Sequence, residues 1–156
     1  MARVRHAVME RKSILSDSGW RHDDLPHRAS GIYPKARPIR AGWEWRSVVT
    51  GGSVCEHIFL CQINEGKDNW KAWLIAMLPD GASVLARYEY HGDHPGFHLH
   101  AHCERGGIET GPTSINGLVR IPRAPSGGTV TTIRRDAFWE RARRKFRIDF
   151  PAGTLM

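Results

Sequence analysis

The sequence predicts an α+β domain: an antiparallel β-meander of about five strands with a C-terminal helix packed on one face. Three observations predict it. Five apolar-rich or alternating runs, at 43–49, 54–63, 70–78, 83–90 and 97–103, are separated by Thr-Gly-Gly, Asn-Glu-Gly-Lys-Asp, Pro-Asp-Gly and the polar stretch 91–96. Short strands with turn chemistry between them make hairpins and meanders. At the closing stretch 134–147, Ala137, Phe138, Ala142 and Phe146, with Ile133 just before it, fall near one helical face, and Glu140 and Arg144 make an i,i+4 pair. Finally, 156 residues with 40% hydrophobic content and six Trp suffice for one core without disulfides.

In chain order, residues 1–15 suit a short helix or an opening strand. From 16 to 41 the chain is rich in Asp, Pro, Gly, His and Arg and reads as loop. Residues 1–41 are therefore expected to be a largely irregular N-terminal arm, and 42–150 the single α+β domain. A structureless stretch that long is functional or mobile. After the fifth run, 106–128 is rich in Gly, Pro and Ser and reads as loop with a short strand near 115–121.

The fourth and fifth runs can be paired by argument. With 91–96 as the loop, Tyr90 faces Phe97, Tyr88 faces Leu99, Ala86 faces Ala101 and Val84 faces Cys103. These pairs form an apolar face, on which Cys103 is inert packing. The other face then pairs Glu89 with His98, Arg87 with His100 and Leu85 with His102. A slip by one residue would turn Arg87 and Glu89 into the apolar face, so the register is well specified.

That second face carries the chemistry. His98, His100 and His102 alternate with Phe97, Leu99, Ala101 and Cys103, and successive strand side chains point to opposite faces. Imidazole changes charge near neutral pH and is also the commonest metal ligand. Two imidazoles about 6–7 Å apart, the i,i+2 spacing of a strand, can serve as general base and general acid on one phosphodiester. Arg87 can stabilise charge developing on phosphorus, and Glu89 can orient a histidine. RNA needs no metal for this, because its 2′-hydroxyl is the nucleophile. The candidate catalytic residues are thus His98, His100, His102, Arg87 and Glu89, with no cofactor. A solvated strand face that merely uses histidine and paired charges is the plainer alternative.

Metal binding competes. The stretch Gly92-x5-His98-x-His100-x3-Glu104-x6-Gly111 resembles the first motif of the cupin family, which implies a divalent transition metal such as zinc on His98, His100 and Glu104, with His102 a further candidate. The chain departs from that family: no histidine follows His102, and a helix closes the chain where more strands are required.

A second resemblance covers more of the chain. Arg87-Tyr88-Glu89, the polar loop 91–96 and His98-x-His100 resemble small toxins of the TumE-like group. Those carry an Arg-Tyr-acidic triplet, a polar loop and closely spaced histidines on a meander followed by a helix. Here Glu replaces the usual Asp, the N-terminal arm is longer and His102 is extra. The resemblance implies a cytoplasmic toxin of a toxin–antitoxin system, an endoribonuclease acting on RNA and silenced by an antitoxin.

Charge agrees with a polyanion partner. There are 23 Lys and Arg against 16 Asp and Glu, a net charge of +7. This favours RNA, DNA or an acidic protein, such as an antitoxin, without choosing among them. Arg134, Arg135, Arg141, Arg144 and Arg147 crowd the final helix and are the candidate nucleic-acid contacts, a solvated helix face being the alternative. Lys35, Arg37 and Arg40 in the arm can add to the same field. Trp20, Trp43, Trp45, Trp70 and Trp73 can stack on bases, though Trp in strands is more often core. A non-catalytic nucleic-acid- or protein-binding module is therefore a third reading. Three cysteines without a C-x-x-C pair fit a reducing cytoplasm. The start lacks an apolar signal region, and no apolar run approaches the roughly 18 residues that span a bilayer.

Overall fold

The computed structural model describes residues 2–32, 35–91, 94–101, 119–121 and 133–150. Among them, eight strands form one sheet. In chain order the elements are α1 (Ala2–Met9), β1 (Lys12–Asp17), α2 (His27–Ser30), β2 (Glu44–Gly51), β3 (Glu56–Asn64), β4 (Asn69–Leu78), β5 (Gly81–His91), β6 (His94–Ala101), β7 (Val119–Ile121), α3 (Arg135–Lys145) and β8 (Ile148–Asp149). The sheet order is β7-β6-β5-β4-β3-β2-β1-β8. Every neighbouring pair is antiparallel except β1 and β8. The meander with a C-terminal helix is thus present, with more strands than the five of the meander: β7 falls where a short strand near 115–121 is expected, and β1 and β8 extend the other edge.

The sheet is covered on both faces, which explains why β3 and β4 are nearly continuous apolar runs rather than alternating ones. On one face α1 and α3 pack through Val4, Ala7, Val8, Phe138, Trp139, Ala142 and Phe146 onto Phe59, Trp70, Leu74 and Tyr88. Phe138 is fully buried, with ring centroids 5.7 Å from Trp70 and 6.0 Å from Tyr88. On the other face Leu25, Ala29, Ile32 and Ile39 of the arm cover Trp45, Ile58, Leu60, Trp73, Ile75 and Val84.

The N-terminal stretch resolves into both forms the sequence allows. Residues 2–17 give α1 and the strand β1, which joins the sheet. Among the described residues between 18 and 41, only α2 is regular, yet this segment is tied down. Leu25 and Arg37 exchange backbone hydrogen bonds of 2.9 and 2.8 Å, and the Trp45 indole donates to the Asp23 carbonyl at 2.7 Å.

Helix α3 has a charged partner at each end. Glu65, in the turn between β3 and β4, accepts from the Arg135 backbone N–H at 3.2 Å. At the other end Lys12 donates to the Phe146 carbonyl at 3.0 Å. An anion at a helix start and a cation at its end both suit the helix dipole. Arg147, at φ +54, turns the chain out of the helix into β8. One expected core position differs. Ala137 is exposed and Trp139 is buried in its stead.

Two irregularities of β5 also differ from the expected hairpin. A bulge lies where Leu74 pairs with Ala86 but Ile75 pairs with Val84. The extra residue, Leu85, enters the helix-side core, and Val84 turns to the arm-side cluster. Leu85 and Val84 therefore exchange the faces expected from strict alternation. At the hairpin end the register shifts after Glu89, and His91 pairs with His94. The strands run to His91 and start at His94, so the loop is shorter than 91–96.

Candidate functional site

The β5/β6 register brings the expected residues together. Ala86 pairs with Ala101, Arg87 with His100, Tyr88 with Leu99 and Glu89 with His98. Tyr88, Leu99 and Phe97 face α3, so Arg87, Glu89, His98 and His100 share the opposite face. Neighbouring strands extend two rows across that face. One runs Gln62, Lys71, Glu89, His98; the other runs Leu60, Trp73, Arg87, His100, with Arg120 of β7 next in register.

Glu89 is the hub. It is 5% exposed. Its Oε1 lies 2.8 Å from His100 Nε2 and accepts from Arg87 Nη2 at 3.2 Å. Arg87 Nε lies 3.1 Å from the other carboxylate oxygen, but its N–H makes no hydrogen bond among the described residues. His98 is buried and His100 and Arg87 are half-buried, so the face is more enclosed than a solvated strand surface. Burial lowers the His100 pKa, and the Arg87 guanidinium and His98 add to that; Glu89 opposes them. A carboxylate only accepts, so His100 Nε2 carries the proton toward Glu89. Neutral His100 then has an unprotonated Nδ1, the state a general base requires.

A cavity of about 340 Å³ adjoins this face, lined by Arg37, Arg40, Lys71 and Arg87 with Trp43, Trp73 and Gln62 among others. Among the described residues, no acidic one lines it. Burial lowers the Lys71 pKa; Glu89 opposes this, while Arg87 and Arg37 add to it. Lys71 and Gln62 are not among the site residues the sequence points to, whereas Trp73 is named there as able to stack on a base. Lys71 had a readable signal: it is the one cation in the apolar run Trp70-Lys71-Ala72-Trp73-Leu74-Ile75-Ala76.

The arginines of α3 are not part of this face, because α3 packs on the other side of the sheet. Arg135 pairs with Glu44 at 3.0 Å and stands over the Trp20 ring at 5.3 Å. Arg141 lies over Phe97 at 4.3 Å, and Arg144 is 3.7 Å from Glu140. Arg134 and Arg147 are exposed. Arg11, Arg143, Arg144 and Arg147 line a smaller cleft of about 270 Å³ together with Ile148 and Asp149. Trp45, Trp70 and Trp73 are core residues, and Trp43 is half-buried at the cavity.

His102, Cys103 and Glu104 lie outside the described residues, as do the loop positions Gly92 and Asp93. Among the described residues, no group of three or more His, Cys, Asp or Glu stands where it could hold a metal ion. Of the cupin-like ligand set, the described part is His98 and His100, and His100 is engaged by Glu89. No helix among the described residues is long and apolar enough to cross a membrane. No protein-family model, no curated protein and no solved structure matches this chain.

Proposed function

We propose that the chain is a metal-independent endoribonuclease, acting through the face that carries Arg87, Glu89, His98 and His100. One observation carries the reading: the buried Glu89 carboxylate lies 2.8 Å from Nε2 of His100 beside a cluster of cations. This is the arrangement of an oriented general base next to a phosphate-binding surface. In the reaction, unprotonated Nδ1 of His100 takes the proton of a ribose 2′-hydroxyl. The 2′-oxygen forms a bond to phosphorus, and the bond from phosphorus to the 5′-oxygen breaks. His98, protonated, gives its proton to that leaving oxygen. The products are a 2′,3′-cyclic phosphate and a 5′-hydroxyl. Arg87 and Lys71 stabilise the charge that builds on the phosphoryl oxygens.

The likeness to TumE-like toxins puts such an activity in a cytoplasmic toxin held in check by an acidic antitoxin, and the net charge of +7 suits both RNA and that partner. A second reading has its own support. The four cations of the cavity bind an anion whether or not the histidines react, so a non-catalytic nucleic-acid-binding module uses the same surface. His98→Ala and His100→Ala separate the two. Both should lower cleavage of a short RNA by about 100-fold or more while RNA affinity and the circular dichroism spectrum are kept. Unchanged cleavage, or no cleavage by the parent chain, selects the binding module.

A further inference from the structure

We infer that the cavity between the arm and the sheet is a mononucleotide subsite, with the phosphate held by Arg40, Lys71 and Arg37 and the base laid against Trp43. Its volume of about 340 Å³ lies within the usual range of small-molecule sites, about 300–1,000 Å³. Its wall carries four cations, and the one carboxylate opposite Lys71 on the neighbouring strand, Glu89, is already engaged by Arg87 and His100. The Arg87 and Arg37 guanidiniums lie near enough to Lys71 to act on it, and a phosphate brought among these groups is attracted by each of them. Burial disfavours the Lys71 ammonium, Glu89 opposes this, and the Arg87 and Arg37 guanidiniums add to it; an anion bound beside Lys71 favours its charged form.

Two further features point to more than a phosphate. Trp73 lines the cavity at 4% exposure, and its buried indole N–H meets no acceptor among the described residues. A buried donor without a partner is uncommon and suits a ligand oxygen. Trp43 and Arg40 are fixed to one another by a tight turn. The Trp43 N–H donates to the Arg40 carbonyl at 3.1 Å, with Gly42 at φ +80 between them. That left-handed position suits glycine, and a Cβ there would come within 3.2 Å of the Asn64 amide. The turn therefore ties together an aromatic residue and a cation that both line the cavity, the pair a nucleotide needs for stacking and charge. The role of this pocket as a subsite for the neighbouring nucleotide of an RNA rests on the endoribonuclease reading; its affinity for a nucleotide does not.

The test is titration of the full chain with adenosine 5′-monophosphate, adenosine, inorganic phosphate and a poly-glutamate peptide, followed by calorimetry and Trp fluorescence. The monophosphate should bind more tightly than either half alone and shift the fluorescence. Arg40→Gln, at an exposed position, should weaken it about tenfold and reduce phosphate binding with it. Trp43→Leu should weaken the monophosphate and leave phosphate unchanged. Monophosphate affinity equal to that of phosphate, or unaffected by both substitutions, overturns the inference. So does poly-glutamate binding without nucleotide binding, which assigns the cavity to an acidic protein. Nucleotide binding that persists in a chain with no RNA cleavage sustains this inference while removing the endoribonuclease reading.

Discussion

Glu89 Oε1 and His100 Nε2 stand 2.8 Å apart on the diagonal of the β5/β6 pair, where Glu89 is opposite His98 and His100 is opposite Arg87. Residues on one face of paired strands reach their diagonal neighbours when one side chain is long. The contact therefore follows from the strand register, and it sets both the tautomer and the orientation of the imidazole.

Glu89→Gln tests what that contact does. Glu89 works against the burial that lowers the His100 pKa. Removing its charge lets that pKa fall further, so the acid limb of a pH–rate profile should move to lower pH. The maximal rate should also drop, by about 100-fold, because an amide can present either its oxygen or its NH2 group and fixes neither tautomer. A limb that moves to higher pH contradicts the assignment of His100 as base.

The placement of α3 across the sheet from the histidines separates two kinds of basic residue. Changing Arg141, Arg144 and Arg147 to Gln should leave cleavage of a short oligonucleotide unchanged at saturation. Any effect should appear on long RNA as a flatter salt dependence, by about 0.7 log–log units for each lost contact. Arg40→Gln should weaken the short oligonucleotide itself. Equal losses from both sets on the short substrate would mean that one strand wraps both faces.

How much of this was legible in the sequence follows from periodicity. Arg87, Glu89, His98 and His100 were placed on one face because alternation leaves a single register that keeps charge out of the core. The same rule misplaced Leu85 and Val84, since a bulge breaks alternation and the sequence around Leu85 carries no glycine or other mark of it. It also lengthened the loop, because the shift after Glu89 is invisible in composition. The cover over the second face could not be read at all. Leu25, Ala29 and Ile39 are spaced irregularly between Pro, Asp and Arg, and only the fold brings them onto Trp73 and Ile75. Without that cover the cavity beside Arg87 has no outer wall, which is why Lys71 passed unremarked as a site residue.

Acid should destabilise the fold in a window set by His57. This residue is fully buried, its Nδ1 has no hydrogen-bond partner among the described residues, and its Nε2 lies 3.9 Å from the Cys55 thiol. A Cβ on Gly52 would come within 2.6 Å of both the His57 ring and Glu10 Oε1, so the pocket is closely filled. Burial, joined by the Lys12 ammonium, pushes its pKa down to about 4. The unfolded chain takes up this proton near pH 6.5 while the folded chain stays neutral to about pH 4. Stability from this group is therefore complete above pH 6.5 and is lost as pH falls toward 4. Between pH 7 and pH 5 the loss is about 2 kcal/mol. Lys12, held at about 8 by burial, acts with the same sign in a separate window, losing stability as pH falls from about 10.5 to about 8. Urea midpoints at pH 5, 7 and 9 measure both. A midpoint at pH 5 equal to or above that at pH 7 contradicts the buried neutral imidazole.

With His100 as base, the 2′-hydroxyl is the group that attacks phosphorus. The most direct measurement is product analysis of a short RNA, and of the same strand with 2′-deoxyribose at the scissile nucleotide, incubated with the chain in excess EDTA. The RNA should be cleaved to a 2′,3′-cyclic phosphate and a 5′-hydroxyl, with the deoxy strand intact. Cleavage of the deoxy strand, a 5′-phosphate product, or activity that vanishes with EDTA and returns with a divalent metal would contradict it.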